Sequence, residues 1–252
     1  ATLINQGTIS ANLSGQTLTI GGNGVSTFTN QGALRAVSGG ILTINPASWS
    51  NAGTIAALAN STVNLNGTIT TGGLGAFDAS AAGAVINVVG TINNAAQTLT
   101  LSPATGSLTM LGGTIQGGTI QESGTNRLIF TSSAGFLDNV TLRGALDLSA
   151  ASSRARIFNG LTLLTEAGGS PGVANVTGSN AILAFQGTQS LNNATINLGS
   201  AGQLNNEGAG TLTLGAGVTV QGSGTIGGQS FVGGSATLIN QGTISANLSG
   251  QT

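Results

Sequence analysis

The chain has no cysteine, no histidine, no lysine and no tyrosine. Without cysteine there are no disulfides and no thiolate metal ligands, although this absence does not fix a compartment. Histidine, the side chain most often used for proton transfer near neutral pH, is missing. Positive charge is limited to five arginines, which leaves no electrostatic footprint for nucleic acid or for an anionic lipid surface. Three prolines are too few for collagen or a proline-rich linker. Gly and polar residues interrupt every apolar run well short of a membrane span. Only 11 of 252 residues are charged, with a formal net charge of −1, yet 39% are hydrophobic. Disorder pairs low hydrophobicity with high charge, so this composition predicts a folded chain whose polar surface is made of Thr, Ser, Asn, Gln and Gly.

What the chain does have is repetition. Ala1 to Thr17 reads ATLINQGTISANLSGQT, and Ala236 to Thr252 reads the same, an offset of 235 residues. A tandem array cut slightly beyond one period gives this pattern. Residues 1–235 are therefore expected to be one module, with 236–252 the start of the next. An end duplicated artificially would give the same letters, and the full-length gene would separate the two readings. A chain that starts inside a repeat is expected to show no signal peptide.

A finer period lies beneath. Gly-Thr-Ile begins at positions 67, 90 and 113, and Asn-x-Gly at Asn5, Asn30, Asn51 and Asn240. Triplets such as Leu18-Thr19-Ile20, Leu42-Thr43-Ile44, Val63-Asn64-Leu65, Leu108-Thr109-Met110 and Leu146-Asp147-Leu148 alternate apolar and polar, the period of a strand with one face inward. No helical stripe of useful length occurs. Short strands separated by Gly, Asn and Ser turns, three to a coil, predict an all-β parallel β-solenoid of about ten coils of about 23 residues without capping elements. Aligned on Asn-x-Gly, Leu3, Phe28, Trp49 and Leu238 take equivalent inward positions, as do Ile9, Leu34, Ile55 and Ile244. Asn5, Asn30 and Asn51 are placed to form a ladder, each amide bonding to the next coil. Trp49 has an alternative reading as an exposed ligand-stacking residue. Gly168 to Gly172 is expected to protrude as a loop.

The degenerate Asn-x-Gly-Thr-Ile and Leu-Thr-Ile motifs resemble the β-helical regions of bacterial exoproteins, the filamentous-haemagglutinin-type adhesins and autotransporter passengers. That resemblance implies a right-handed parallel β-helix, export to the cell surface or the extracellular space, and adhesion or filament formation. The absence of cysteine suits such a family, whose members cross the outer membrane unfolded.

Chemistry is sparse. The acids are Asp78, Glu122, Asp138, Asp147, Glu166 and Glu207. Asp138 and Asp147, with Arg143 nearby, are the one pair considered for acid–base work, but nine residues separate them on a coil of about 23. Gly72 to Asp78 is a defective single copy of a calcium-binding β-roll motif. The chain is therefore expected to have no catalytic residue, no metal site and no cofactor. Thr-x-Thr pairs at Thr17/Thr19, Thr27/Thr29, Thr68/Thr70, Thr98/Thr100 and Thr211/Thr213 raise ice or carbohydrate binding as an alternative, although their spacing in sequence is irregular. Eight charged residues (Glu122, Arg127, Asp138, Arg143, Asp147, Arg154, Arg156 and Glu166) fall in one segment, and 208–252 has none. This segment is either a solubilising patch or a lateral contact. The expected partner is another copy, joined end to end, with that segment as the candidate lateral contact; no nucleic acid and no membrane span are expected. The favoured function is a structural extracellular fibre; the alternative is the stalk of an adhesin.

Overall fold

In a computed structural model, which describes residues 1–22 and 24–247, the chain is all-β, a solenoid of parallel strands. A single 3-10 turn, Thr71–Gly73, is the one helical element among these residues. Most strands are three or four residues long and bury alternate side chains, as the period of two requires. Four longer strands bend partway, at register shifts such as those between Asp138 and Val140 and between Leu191 and Asn193. With these four divided at their bends, the described strands run in threes and make eleven coils of about 22 residues. This agrees to within one coil with the ten coils of about 23 residues expected for a 235-residue module. Strand starts at Thr2, Thr27, Ser48, Thr68, Thr91 and Thr114 are unevenly spaced because turn lengths vary more than the three- or four-residue strands.

Two compact units divide the chain, residues 1–116 with 123–129, and residues 117–122 with 130–252. In the first unit Thr2–Asn5, Thr27–Asn30 and Ser48–Asn51 stack in register, so that Leu3, Phe28 and Trp49 form one inward column. Ile9, Leu34 and Ile55 form a second. The Gly-Thr-Ile copies also coincide, Ile69 on Ile92 on Ile115. Trp49 is 6% exposed and donates its indole N–H to Asn66 O at 2.8 Å, so it is a core residue and not a ligand platform.

The Asn-x-Gly turn explains its own recurrence. Asn5 donates to Asn30 Oδ1 at 2.7 Å, Asn30 to Asn51 Oδ1 at 2.6 Å, and Asn51 to Leu74 O at 2.7 Å, where the ladder ends. Each Asn thus satisfies buried backbone and amide groups that would otherwise be desolvated unpaired. Two residues on, a Cβ at Gly32 would run into Gly7 O, and one at Gly53 into Gly32 O. Stacked turns approach too closely here for any side chain.

The second unit is built differently. Its strands 135–143 and 154–164 pair along their length, as do 189–198 and 210–222, each turning a corner without leaving the ladder. Leu137, Ile157, Leu183, Phe185 and Leu204 fill its interior. The expected loop is present: Leu164 bridges Pro171 and Thr165 N–H donates to Ser170 O at 3.0 Å, so 165–170 protrudes as a closed turn.

The second sequence copy folds like the first where both are described. Strands Ala236–Asn240 and Thr243–Ser245 match Thr2–Asn5 and Thr8–Ala11. Asn240 accepts from Gly242 N–H at 3.2 Å, as Asn5 does from Gly7 N–H at 3.2 Å. Its seat differs, however. Leu238 stacks on Leu212 and Ile244 on Val220 of the preceding coil, so neither takes the place expected for it in the Leu3–Phe28–Trp49 and Ile9–Leu34–Ile55 columns. Residues 248–252 of the copy lie outside the described residues.

Candidate interaction surfaces

The first unit presents an uncharged hydroxyl face. Thr2, Thr27, Ser48, Thr68, Thr91 and Thr114 occupy one register position in six successive strands of one sheet. Two residues on, the outward positions are Ile4, Thr29, Ser50, Thr70, Asn93 and Gln116. Thr2 and Thr27 hydroxyls are 2.8 Å apart. The irregular spacing of Thr pairs in the sequence is therefore absorbed by turns, and the spatial row is regular. Only Thr27/Thr29 and Thr68/Thr70 of the Thr-x-Thr pairs belong to it. Beside it, on a second sheet, Asn87 donates to Asn64 at 2.8 Å and Asn64 to Thr43 at 3.0 Å, an outward amide ladder that the Asn-x-Gly pattern did not flag.

Within the second unit, the charged residues of the expected contact segment do not form one patch. Arg127 belongs to the first unit, with its guanidinium directed to Thr125 O. The other seven belong to the second unit. Glu122 is 5% exposed and accepts the N–H of Ala145 at 3.0 Å, so it is removed from the expected contact surface. A Cβ at Gly144 would overlap its carboxylate, which explains the glycine there. Asp138 accepts from Asn159 at 2.6 Å, whereas Asp147 accepts the N–H of Ser149 at 2.9 Å. They occupy different sheets and make no acid–base pair. Arg143 packs beside Gly168 at the base of the protruding loop, and exposed Glu166 is in that loop. Asp78, in the first unit, gives its carboxylate to the N–H and hydroxyl of Ser80, at 3.0 and 2.7 Å, and these bonds hold it below its ordinary pKa.

Arg154 and Arg156 share the outward face of one strand, as the alternation predicts. What the sequence did not reveal is their company. The Arg156 guanidinium carbon lies 5.0 Å from the Phe136 ring centre, 5.8 Å from Phe158 and 4.8 Å from Phe231, and Arg154 lies 5.6 Å from Phe231. Three of the seven phenylalanines thus surround two of the five arginines. Arg156 donates to Gln186 Oε1 at 2.9 Å. Burial pulls its guanidinium below the ordinary value, against the opposing charge of Glu207.

Phe231 is delivered by residues 229–234, which cross the outside of the sheet as a strap. Glu207 holds it down, accepting the N–H groups of Ser230, Phe231 and Val232 at 2.8, 3.0 and 2.7 Å. The strap closes on itself through Gln229 and Gly234, bonded at 2.9 and 3.0 Å. Burial alone would raise the Glu207 pKa; the three backbone N–H groups and the Asn205 amide outweigh that and lower it. A lone Glu before an uncharged stretch of 45 residues was the one sequence signal for this latch.

A cleft of about 380 Å³ lies in the second unit. Asn139, Thr162, Ser190, Asn192 and Asn193 line it with neutral polar groups, and Gly169 to Pro171 of the protruding loop form one wall. Among the described residues no group of three metal-ligating side chains occurs, and no helix is long and apolar enough to cross a membrane. No protein-family model matches this chain, and the searches of curated proteins and of solved structures find no match to it.

Proposed function

We propose that the chain is one module, with the start of the next, of a tandem-repeat β-solenoid fibre that works outside the cell as a structural element. The observation that carries this reading is the second copy: its strands take their places in the ladder with inward Leu238 on Leu212 and Ile244 on Val220, and the Asn240–Gly242 turn re-forms. A parallel ladder accepts a further coil wherever its inward column and turn are matched. The end of that ladder is apolar. A pocket of about 240 Å³ is lined by Leu198, Val220, Ile226 and Ile244, and Ile239 and Ile244 are exposed. Leu3 and Leu18 are exposed on the first coil, where their partners Phe28 and Leu42 are buried.

The role is structural rather than catalytic: Asp138 and Asp147, the one pair considered for acid–base work, are on different sheets. Association is end to end, with lateral contacts through the arginine–phenylalanine surface. Purified protein is expected to form fibres as its concentration rises, seen by electron microscopy, and to keep them in chelator. Protein that stays monomeric at high concentration sinks the reading.

The hydroxyl row of the first unit favours a second reading, binding of ice or of a neutral carbohydrate along the shaft. Thermal hysteresis and pull-down with insoluble polysaccharide test it, with Thr68→Lys as the disrupting variant.

A further inference from the structure

The 235-residue offset and the coil are out of step. Counted along the chain, Thr2–Asn5 is the first strand segment and Ala236–Asn240, its copy, is the thirty-second. Thirty-one segments separate equivalent residues. At three segments to a coil, that is ten coils and one strand over. The pairing inside the second unit agrees. The copy follows Thr225–Gly228 in its coil and stacks on 210–214, which follows Gln203–Glu207 in the coil below. The next copied strand, Thr243–Ser245, then stacks on 219–221.

We infer that successive modules of this protein turn by one strand face, a third of a coil, so that the array repeats its lateral surface only every third module. This inference rests on the array reading and names its partner, the next copy of the same module. In that copy the strand that follows Thr17, carrying Leu18 and Ile20, falls on the face of Thr225–Gly228. There Ile226 lines the open apolar pocket. The strand equivalent to Thr27–Asn30 falls on 237–240, repeating the pairing of Thr27–Asn30 with Thr2–Asn5. Asn240 is set for this. It already makes the turn bonds of Asn5, with Nδ2 to Gly242 O at 3.3 Å, and its amide would donate to the next Asn as Asn5 donates to Asn30 Oδ1.

The consequence is functional. With about 4.8 Å per coil, each module advances roughly 50 Å, and the arginine–phenylalanine surface returns to the same side after roughly 150 Å. Any partner of that surface, a neighbouring fibre included, is met on three sides of the shaft instead of along one edge. A whole number of coils per module would have lined the surfaces up and made a flat ribbon the preferred assembly.

The test uses a chain of four consecutive copies of residues 1–235. The protein has no cysteine, so Ser48→Cys, on the exposed hydroxyl row, places one label in each module. Maleimide–gold labels are imaged by electron cryomicroscopy. A second chain labelled through Thr114→Cys, three coils from Ser48 on the same sheet, calibrates the solenoid's own twist for subtraction. Expected are labels stepping roughly 50 Å along a rod and turning by a third of a revolution each time, so that the fourth lies above the first. Labels in line along one side of a rod overturn the one-third phase and leave the array reading standing. If no rod forms, the array reading fails and takes this inference with it.

Discussion

Asn30 is the residue at which the stacking logic is most exposed to experiment. It is fully buried in the middle of the Asn ladder. It accepts from Asn5 at 2.7 Å and donates to Asn51 Oδ1 at 2.6 Å, to Gly32 O at 3.1 Å and to Thr54 O at 3.3 Å. Asn30→Ala removes the two short amide–amide bonds and the bond to Gly32 O. The neighbours are not orphaned outright: Asn5 keeps Gly7 O, and Asn51 Oδ1 keeps the N–H of Gly53. Three net hydrogen bonds at about 0.5–1.5 kcal/mol each, plus a small cavity, give an expected loss of about 2–4 kcal/mol. Asn30→Asp preserves shape but sets a buried carboxylate oxygen against Asn51 Oδ1. Burial raises the folded-state pKa of that carboxyl above its unfolded value, so its penalty is largest at neutral pH and falls as the pH is lowered through the folded pKa. Trp49, the sole tryptophan, is on the strand that pairs with that of Asn30 and reports unfolding of these coils by its fluorescence in guanidinium chloride. A loss below about 0.5 kcal/mol for the alanine variant, less than one net hydrogen bond, together with no acid relief for the aspartate variant, would refute the view that the ladder holds the coils in register.

Trp49→Ala opens a cavity in the Leu3–Phe28–Trp49 column and should cost about 3–5 kcal/mol in denaturation followed by circular dichroism. Gly53→Ala forces a Cβ against Gly32 O, and the backbone shift should cost about 1–3 kcal/mol in the same assay, whereas Gly7→Ala, with open space at that position, should be close to neutral. Glu207 has a depressed folded-state pKa, so its contribution is present above the ordinary carboxylate range and is lost as the pH falls through the lower folded value. Amide exchange at Ser230, Phe231 and Val232 should therefore stay slow down to the acid side of that range, and Glu207→Gln should speed it at neutral pH. Fibre stability should be nearly indifferent to chelator and to salt, because ladders and apolar columns carry it; a melting temperature that falls with chelator would contradict this.

Much of this fold was legible in the sequence because its physics is local and periodic. Alternation of apolar and polar residues fixed which side chains point inward, and Asn-x-Gly marked turns where stacked backbones leave no room for a Cβ and a buried amide must bond upward. From those two signals the Leu3–Phe28–Trp49 column, the Ile9–Leu34–Ile55 column and the Asn ladder followed; the Gly-rich run expected to protrude over Gly168 to Gly172 marked a turn that spans 165–170, with Gly172 buried at the start of the next strand. The tertiary structure alone decided the rest, because a strand in a solenoid pairs with one about 22 residues away across turns of unequal length. Sequence spacing reports that distance only where a motif recurs, as in the Gly-Thr-Ile copies. Turn lengths aligned Thr2, Thr27, Ser48 and Thr68 despite uneven intervals, and the fold buried Glu122. Pairing across coils gathered Phe136, Phe158 and Phe231 around Arg156 and put Glu207 beneath the strap. The same accumulated turn lengths seat Leu238 on Leu212, the pairing from which the one-third phase is inferred.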